Sequence, residues 1–177
     1  LIINLDEINL RVAPLNKSGK LKENIGYSRI HLNSIVASSW NDLEELNSFK
    51  RIISRTHLIL AYSKFNQEHF DKNENSHDLV TLNNVIVWKP TKKDLRLIGE
   101  DYDKIRHVLI DGVVQKEKIA TKSIMNVDNL PKESDTEYIH IRPKARNKDD
   151  IDEGYHNAFG KRLTKRAFYL NKPIINK

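Results

Sequence analysis

Two segments near the C-terminal end of the chain carry residue types that suit nucleic-acid recognition. Residues 138–147 read YIHIRPKARN, and residues 163–172 read LTKRAFYLNK. Arg and Lys on a rigid loop can donate to guanine O6 and N7 in a major groove, while surrounding cations neutralise phosphates. An ordinary basic surface explains the same residues equally well, and neither periodicity nor charge identifies a base.

The charge of the chain is concentrated in the same region. Residues 142–177 contain ten Lys and Arg against four Asp and Glu, and the resulting +6 equals the formal net charge of all 177 residues. The remainder of the chain is neutral. This distribution indicates a polyanionic partner that binds at one place.

Strand alternation predicts how the first segment presents its side chains. Residues 137–142 form a predicted strand that turns two isoleucines to one face and three other side chains to the opposite face: Tyr138, His140 and Arg142. Arg142 then leaves the sheet where Pro143 fixes the backbone. Lys144 and Arg146 follow on a loop.

The second segment contains another predicted strand, at 166–171. Phe168 and Leu170 face the core, which places Tyr169 on the opposite face with Lys165 nearby. We expect both strands to expose groups that could contact DNA.

Residues 5–13 also alternate and predict a half-buried strand. Its apolar residues are Leu5, Ile8, Leu10 and Val12. Asn9 and Arg11 share the opposite face.

Strand and helix patterns alternate along the rest of the chain. Further strands are predicted at 27–36, 57–62 and 85–88, and helices at 42–50, capped by Asn41, and at 98–111, ended by Gly112. Asp101 and Asp103 are expected to suit the dipole of the second helix. The mixture predicts a single α/β or α+β domain, in which helices flank a mixed sheet.

Two groups of acidic or histidine residues could suggest metal sites, but their spacing argues against this. The first lies in a polar stretch that is typical of a solvated loop and comprises His69, Asp71, His77 and Asp78. The acids between 149 and 153 lack the ligand spacing of a calcium loop. The chain has no cysteine, which excludes disulfides, thiolate metal sites and cysteine catalysis.

No apolar run approaches the roughly 20 residues of a membrane span, and no secretory signal precedes the first strand. We therefore expect a cytoplasmic, bacterial-type intracellular setting. Because the sequence starts at Leu1 inside a predicted strand, we also expect a C-terminal fragment of a longer polypeptide with an upstream partner domain.

Four stretches resemble, in order, the MutH family, which comprises the mismatch-repair nicking endonuclease and related GATC-cutting restriction enzymes. Residues 139–147 and 164–172 are similar to the C-terminal signature of the family. Residues 101–112 resemble the helix before the recognition strands, and residues 8–14 lie where the family carries Glu-Leu-Lys followed by Pro. The resemblance implies a restriction-endonuclease-like fold with a MutH-type PD-(D/E)xK core, and bound DNA that contains GATC.

The resemblance also implies roles for individual residues. Residues 142–145 match the loop that enters the major groove at GATC, and Tyr169 matches a tyrosine that contacts DNA near the adenine. With the neighbouring cations, the expected DNA-binding residues are Arg142, Pro143, Lys144, Ala145, Arg146, Lys165 and Tyr169.

The chain departs from the family where the nuclease binds its metal. The family's Glu and Lys, two residues apart on one strand face, correspond to Asn9 and Arg11. Neutral Asn is a poor ligand for a hard cation, and Arg differs from Lys in shape and in its inaccessible proton equilibrium. We therefore expect no catalytic residue, metal or cofactor in this domain, whereas the parent enzyme would use Mg²⁺.

A recognition segment beside a degenerate metal motif resembles the C-terminal half of a two-domain type IIE restriction enzyme. Such a domain would bind GATC duplex DNA as an allosteric effector of an N-terminal catalytic domain, with homodimer formation left open. Two alternatives stay open: an active Mg²⁺-dependent endonuclease that uses Asp6 or Glu7, and a dimerisation scaffold that does not bind DNA.

Overall fold

A computed structural model describes residues 7–42, 48–64, 80–120 and 123–176. These ranges form an α/β structure with two three-stranded sheets and one two-stranded sheet. In chain order the elements are β1 (Ile8–Pro14), β2 (Ile25–Ile30), α1 (Leu32–Ala37), α2 (Phe49–Ile53), β3 (Thr56–Lys64), β4 (Val80–Trp88), α3 (Lys92–Asp111), β5 (Gln115–Ala120), β6 (Ser123–Asp128), β7 (Ile139–Pro143), β8 (Arg166–Leu170) and α4 (Lys172–Ile175). No helix in these ranges is long and apolar enough to cross a bilayer. The predicted α/β class is confirmed, with the strands divided among three sheets.

The first sheet is mixed and has the order β1–β3–β4. Strand β1 runs parallel to β3, and β3 runs antiparallel to β4. The register places apolar side chains of all three strands on one face: Leu10, Val12, Leu58, Leu60, Val85 and Val87. The predicted strands at 57–62 and 85–88 are thus confirmed, and both are longer than predicted.

The expectation that the apolar side chains of β1 lie towards the core is wrong. Leu10 is 55% exposed and Val12 is 64% exposed, whereas Asn9 and Ala13 are buried. The face of Asn9 is buried against the second sheet: the Asn9 amide is hydrogen-bonded to His57 of β3, and His57 in turn is hydrogen-bonded to Tyr27 of β2. Leu5 lies outside the described residues.

The second sheet carries both predicted C-terminal strands. Its order is β2–β8–β7 with antiparallel pairing throughout. Strand β7 begins two residues later than predicted, and β8 ends one residue earlier. A bulge between Gly26 and Arg29 interrupts the pairing of β2 with β8 and leaves Tyr27 outside the regular ladder.

Helix α3 begins six residues earlier than predicted. Its first turn is fixed by a capping box, in which the Thr91 side chain accepts from the Asp94 backbone and the Asp94 side chain accepts from the Thr91 backbone. Gly112 ends the helix with φ of +98°, a conformation that favours glycine. The apolar side of α3 packs into the core through Ile98 and Ile105.

The prediction of a strand over 27–36 is only partly correct. Strand β2 ends at Ile30, and α1 begins at Leu32, whose backbone N–H donates to Asp152 across the fold at 2.8 Å. The predicted helix at 42–50 with its Asn41 cap falls largely on residues 43–47, which lie outside the described residues; the described helix α2 begins at Phe49 and is capped by Ser48. The stretch from His69 to Asp78 also lies outside them.

Aromatic rings join the second sheet to α2 and α3. Phe49 stacks on Phe168 of β8 with centroids 4.2 Å apart, and it meets Tyr27 of β2 edge-on at 5.3 Å. Tyr102 of α3 lies 5.7 Å from Phe168 and 5.6 Å from Trp40. The contacts hold the inner face of β8 firmly, so the outer face has a rigid support.

Asp101 on α3 anchors the start of β7. Its carboxylate is buried, and Oδ2 accepts from three successive backbone N–H groups, those of Glu137, Tyr138 and Ile139, at 3.0, 2.7 and 3.2 Å. Oδ1 pairs with Lys104 at 3.2 Å. Beyond its place in the helix, Asp101 thus fixes the position of β7, which its sequence context did not predict.

Candidate nucleic-acid interface

Strands β7 and β8 bring His140, Tyr169 and Arg142 together on one face. His140 lies opposite Tyr169 in the ladder, and their rings stack with centroids 5.7 Å apart and an interplanar angle of 23°. The guanidinium carbon of Arg142 lies 5.4 Å from the Tyr169 centroid. Gly26 on β2 leaves room for this ring, because a Cβ there would approach Tyr169 Cε1 to 2.8 Å.

Glu133 holds the head group of Arg142. Its Oε2 accepts from Arg142 at 2.8 Å and from the Asn24 amide at 2.7 Å. Arg142 is stacked on Tyr169, and its guanidinium is held by Glu133. The Arg142 side chain is 45% exposed. A planar donor group is thus held in one orientation at the surface.

His140 is buried and neutral in this arrangement. Asn171 donates through its amide to the carbonyls of Thr136 and Glu137, so its Oδ1 accepts from His140 Nδ1 at 2.5 Å. Burial lowers the pKa of His140, and its Nε2 has no partner in the described part of the chain. His140 therefore supports the Tyr169 ring from within the fold.

Tyr138 does not join this group, contrary to the alternation. It precedes β7, is buried, and donates through its hydroxyl to Asp94 Oδ1 on α3 at 2.5 Å. The backbone here is held by Asp101 and does not yet follow the ladder of β7. The Tyr138 side chain therefore points towards α3 and not to the face that holds His140 and Arg142.

The loop that follows β7 is tied to the sheet by Asp150. Its carboxylate accepts from the Arg146 backbone at 3.0 Å and pairs with Lys165 at 2.6 Å and Arg29 at 3.3 Å. The bond from Lys165 is the largest of the causes that lower the pKa of Asp150. The acidic stretch therefore stabilises a basic loop, and Arg146 remains exposed at its surface.

The remaining loop residues differ in how far they reach solvent. Pro143 is exposed and Ala145 is half-buried. Lys144 is half-buried: its backbone N–H donates to Lys165 at 2.8 Å, and its ammonium donates to the carbonyl of Tyr27. The structure therefore turns the Lys144 side chain back over β2, whereas Arg142 and Arg146 lie at the surface.

Asn9 and Arg11 lie beside Tyr27 in a buried polar cluster. His57 Nδ1 donates to the carbonyl of Arg55 at 2.9 Å, which leaves Nε2 to accept from Tyr27 Oη at 2.8 Å and from the Asn9 amide at 3.0 Å. Burial is the main cause that lowers the pKa of His57 to about 4. The cluster is neutral except for Arg11, whose guanidinium carbon lies 4.8 Å from the Tyr27 centroid.

This cluster does not fit a magnesium ion. The Asn9 amide donates a hydrogen bond to His57, and Arg11 adds a positive charge where Mg²⁺ would require carboxylate oxygens. Glu7 is exposed, and Asp6 lies outside the described residues. Within the described ranges, no three His, Asp or Glu side chains are grouped to hold a metal ion.

Several residues that shape the site escaped prediction from the sequence. They are Tyr27, His57, Asp101, Glu133 and Asp150. Each acts through a partner far away in sequence, such as Tyr27 with His57 or Glu133 with Asn24. The acidic residues had a weak signal, because isolated acids within a basic region often pair with its cations.

Comparison with known proteins found no matching family model and no matching curated relative. The functional interpretation therefore depends on the geometry of the described residues and on the resemblance of the four sequence stretches.

Proposed function

We propose that this domain binds double-stranded DNA containing GATC and acts as an allosteric effector domain of a type II restriction endonuclease without cutting DNA itself. The proposal includes a restriction-endonuclease-like core and a catalytic domain elsewhere in the same polypeptide. The parent enzyme would require Mg²⁺, while this domain would bind DNA without a metal. The resemblance of residues 139–147 and 164–172 to the MutH signature supplies the base sequence.

The observation that carries the proposal is the fixed presentation of Arg142. The guanidinium is stacked on Tyr169, one of its N–H groups is paired with Glu133, and the side chain is 45% exposed; Pro143 and Arg146 of the following loop are exposed as well. A planar fork of this kind matches the O6 and N7 acceptors of guanine. The cations of the loop would neutralise neighbouring phosphates, which adds affinity without sequence information.

The polar cluster at Asn9 supports the absence of cleavage by this domain. The amide is hydrogen-bonded to neutral His57, so a carboxylate ligand is replaced by an occupied neutral group. Arg11 cannot act as a proton acceptor at physiological pH. The arrangement favours a folded polar core over metal-dependent hydrolysis.

The binding proposal is tested by equilibrium titration of the purified chain against two fluorescent duplexes of equal length and composition, one with GATC and one with the four bases permuted. At matched salt, GATC should bind more tightly, since phosphate contacts alone cannot discriminate between the two. Equal dissociation constants would contradict the sequence specificity. Parallel incubation of GATC plasmid with Mg²⁺ tests the second part, and nicking would contradict it.

A dimerisation scaffold is the second candidate, and the exposed apolar face of the first sheet favours it. Val12 and Val87 are 64% and 66% exposed on this face. Exposed apolar sheet faces often mark protein contacts. Sedimentation of the chain over a range of concentrations, with and without DNA, separates this role from DNA binding: a dimer without any DNA affinity would favour the scaffold.

A further inference from the structure

Two cations, Arg11 and Lys144, contact Tyr27 at the bulge of β2, and a third, Arg29, contacts Lys144. The guanidinium of Arg11 lies over the Tyr27 ring, and the ammonium of Lys144 donates to the Tyr27 carbonyl. Arg29, two residues further along, donates through Nε to the carbonyl of Lys144 at 2.8 Å. The cations come from three separate parts of the chain: β1, β2 and the loop after β7.

Their charge is only partly compensated by the protein. Arg11 makes no ion pair or hydrogen bond with any residue in the described ranges, and its Nε is buried without a partner. Arg29 shares Asp150 with Lys165. Like charges at short range are unfavourable in a partly desolvated setting, and burial together with the charges of Arg11 and Arg29 lowers the pKa of Lys144.

We propose that Arg11, Arg29 and Lys144 form an anion site that binds one phosphate group. A guanidinium offers a planar fork to two phosphate oxygens, and an ammonium offers a compact charge to a third. Bound phosphate would accept from the terminal N–H groups of Arg11 and offset the repulsion between the cations. Tyr27 would act as the floor of the site, since it contacts both Arg11 and Lys144.

The phosphate could belong to a DNA backbone or to a free phosphate compound. The DNA source rests on the proposed function, and the structure favours it because Lys144 follows Arg142 and Pro143 directly in the chain. A phosphate held by Lys144 would then fix the register in which Arg142 meets a base. In this account Lys144 contacts the backbone, whereas the resemblance alone would place it at a base.

The first arm of the test uses inorganic phosphate with the whole chain. Phosphate should raise the melting temperature of the wild type above that in chloride of equal ionic strength, with saturable dependence on concentration. Arg11→Met and Lys144→Met should each weaken phosphate affinity at least about tenfold, since each removes charged hydrogen bonds. Arg96→Met, which removes a surface Arg paired with Glu100 on α3, is the matched control and should leave affinity unchanged.

The second arm measures DNA affinity against salt concentration. Lys144→Met should reduce the slope of log affinity against log salt by about 1 while leaving the ratio between GATC and permuted duplex unchanged. An altered ratio with an unchanged slope would overturn the assignment of Lys144 to phosphate. Absence of phosphate stabilisation in the wild type, with an unchanged slope, would overturn the site.

The two arms also separate the site from the proposed function. Phosphate binding that depends on Arg11 and Lys144 but has no counterpart in the DNA titration would support the site and reject DNA as its source. If Arg11→Met fails to fold, Arg11→Lys retains the charge and removes the planar fork. That variant should bind phosphate more weakly than the wild type, and equal binding would contradict the role of the guanidinium.

Discussion

Glu133 accepts a hydrogen bond from Arg142 at 2.8 Å, so the cation proposed to read a base is paired with a carboxylate in the free domain. The same oxygen accepts from Asn24, which ties Glu133 to the segment before β2. Both side chains are partly exposed. DNA that engages Arg142 must therefore compete with Glu133.

Glu133→Gln should strengthen DNA binding at low salt by up to about fivefold. Partly exposed ion pairs contribute up to about 1 kcal/mol, and the change also removes a negative charge from the interface. Fluorescence anisotropy over a salt series measures the effect. Glu100→Gln, which releases Arg96 on α3, is the control, and weaker binding by Glu133→Gln would show that the carboxylate contributes to recognition rather than opposing it.

Asp101→Asn should destabilise the domain by about 2–4 kcal/mol, because a buried carboxylate that accepts from three backbone N–H groups is replaced by an amide with fewer acceptor sites. Urea unfolding followed by circular dichroism measures the change. Asp111→Asn, at an exposed position on the same helix, should change stability by less than about 0.5 kcal/mol. Equal effects of the two variants would contradict the anchoring of β7 by Asp101.

His57 should make the domain sensitive to mild acid. Its pKa is about 4 in the folded state, against about 6.5 for an unfolded histidine. Since the unfolded state binds the proton more readily, the stabilisation is fully present above about pH 6.5 and is lost as the pH falls towards 4. Protonation of His57 should lower the free energy of unfolding by about 3 kcal/mol over this pH range.

Urea midpoints between pH 7 and pH 4 test the sensitivity. His57→Gln should flatten the fall in stability over this range, whereas exposed His107→Gln should leave it unchanged. His140 has a lowered pKa as well and contributes in the same direction. An identical pH dependence for wild type and His57→Gln would contradict the neutral cluster around Asn9.

Gly26→Ala should reduce the affinity for DNA and also lower the free energy of unfolding. A Cβ at this position would lie 2.8 Å from Tyr169, so the ring must move away from β2 and disturb its stack with Arg142. We expect a stability loss of about 1–3 kcal/mol from overpacking. Gly154→Ala, which meets only the Asn33 side chain, is the control for the change of glycine to alanine, and full DNA affinity in Gly26→Ala would indicate that Tyr169 has no part in binding.

The sequence predicts β7 and β8 well because their signals are local. Alternation and Pro143 define β7 to within two residues, and alternation places His140, Arg142 and Tyr169 opposite the apolar residues, but it does not predict that His140 is buried or that it pairs with Tyr169. The start of α3 could also have been predicted, since Thr91 and Asp94 form a capping box three residues apart. The local signals thus cover the elements that carry the site.

The orientation of β1 could not be predicted from its own residues. Alternation predicts two faces but does not decide which one is buried, and the buried Asn9 amide is satisfied by His57, a residue 48 positions away that also bonds to Tyr27. The same limit applies to Asp101, whose three partners lie about 36 residues away. Hydrogen bonds between residues so far apart in sequence cannot be predicted until the fold that brings them together is known.

The base-pair dependence of binding by wild type and Arg142→Ala tests the central claim most directly. A series of duplexes replaces each base pair of GATC in turn, and dissociation constants are measured at one salt concentration. Arg142→Ala should lose about 1–3 kcal/mol of discrimination at one G·C pair while retaining it elsewhere, because a bidentate contact to guanine is removed. A uniform loss across all duplexes, or no preference for GATC by the wild type, would contradict sequence recognition by this face.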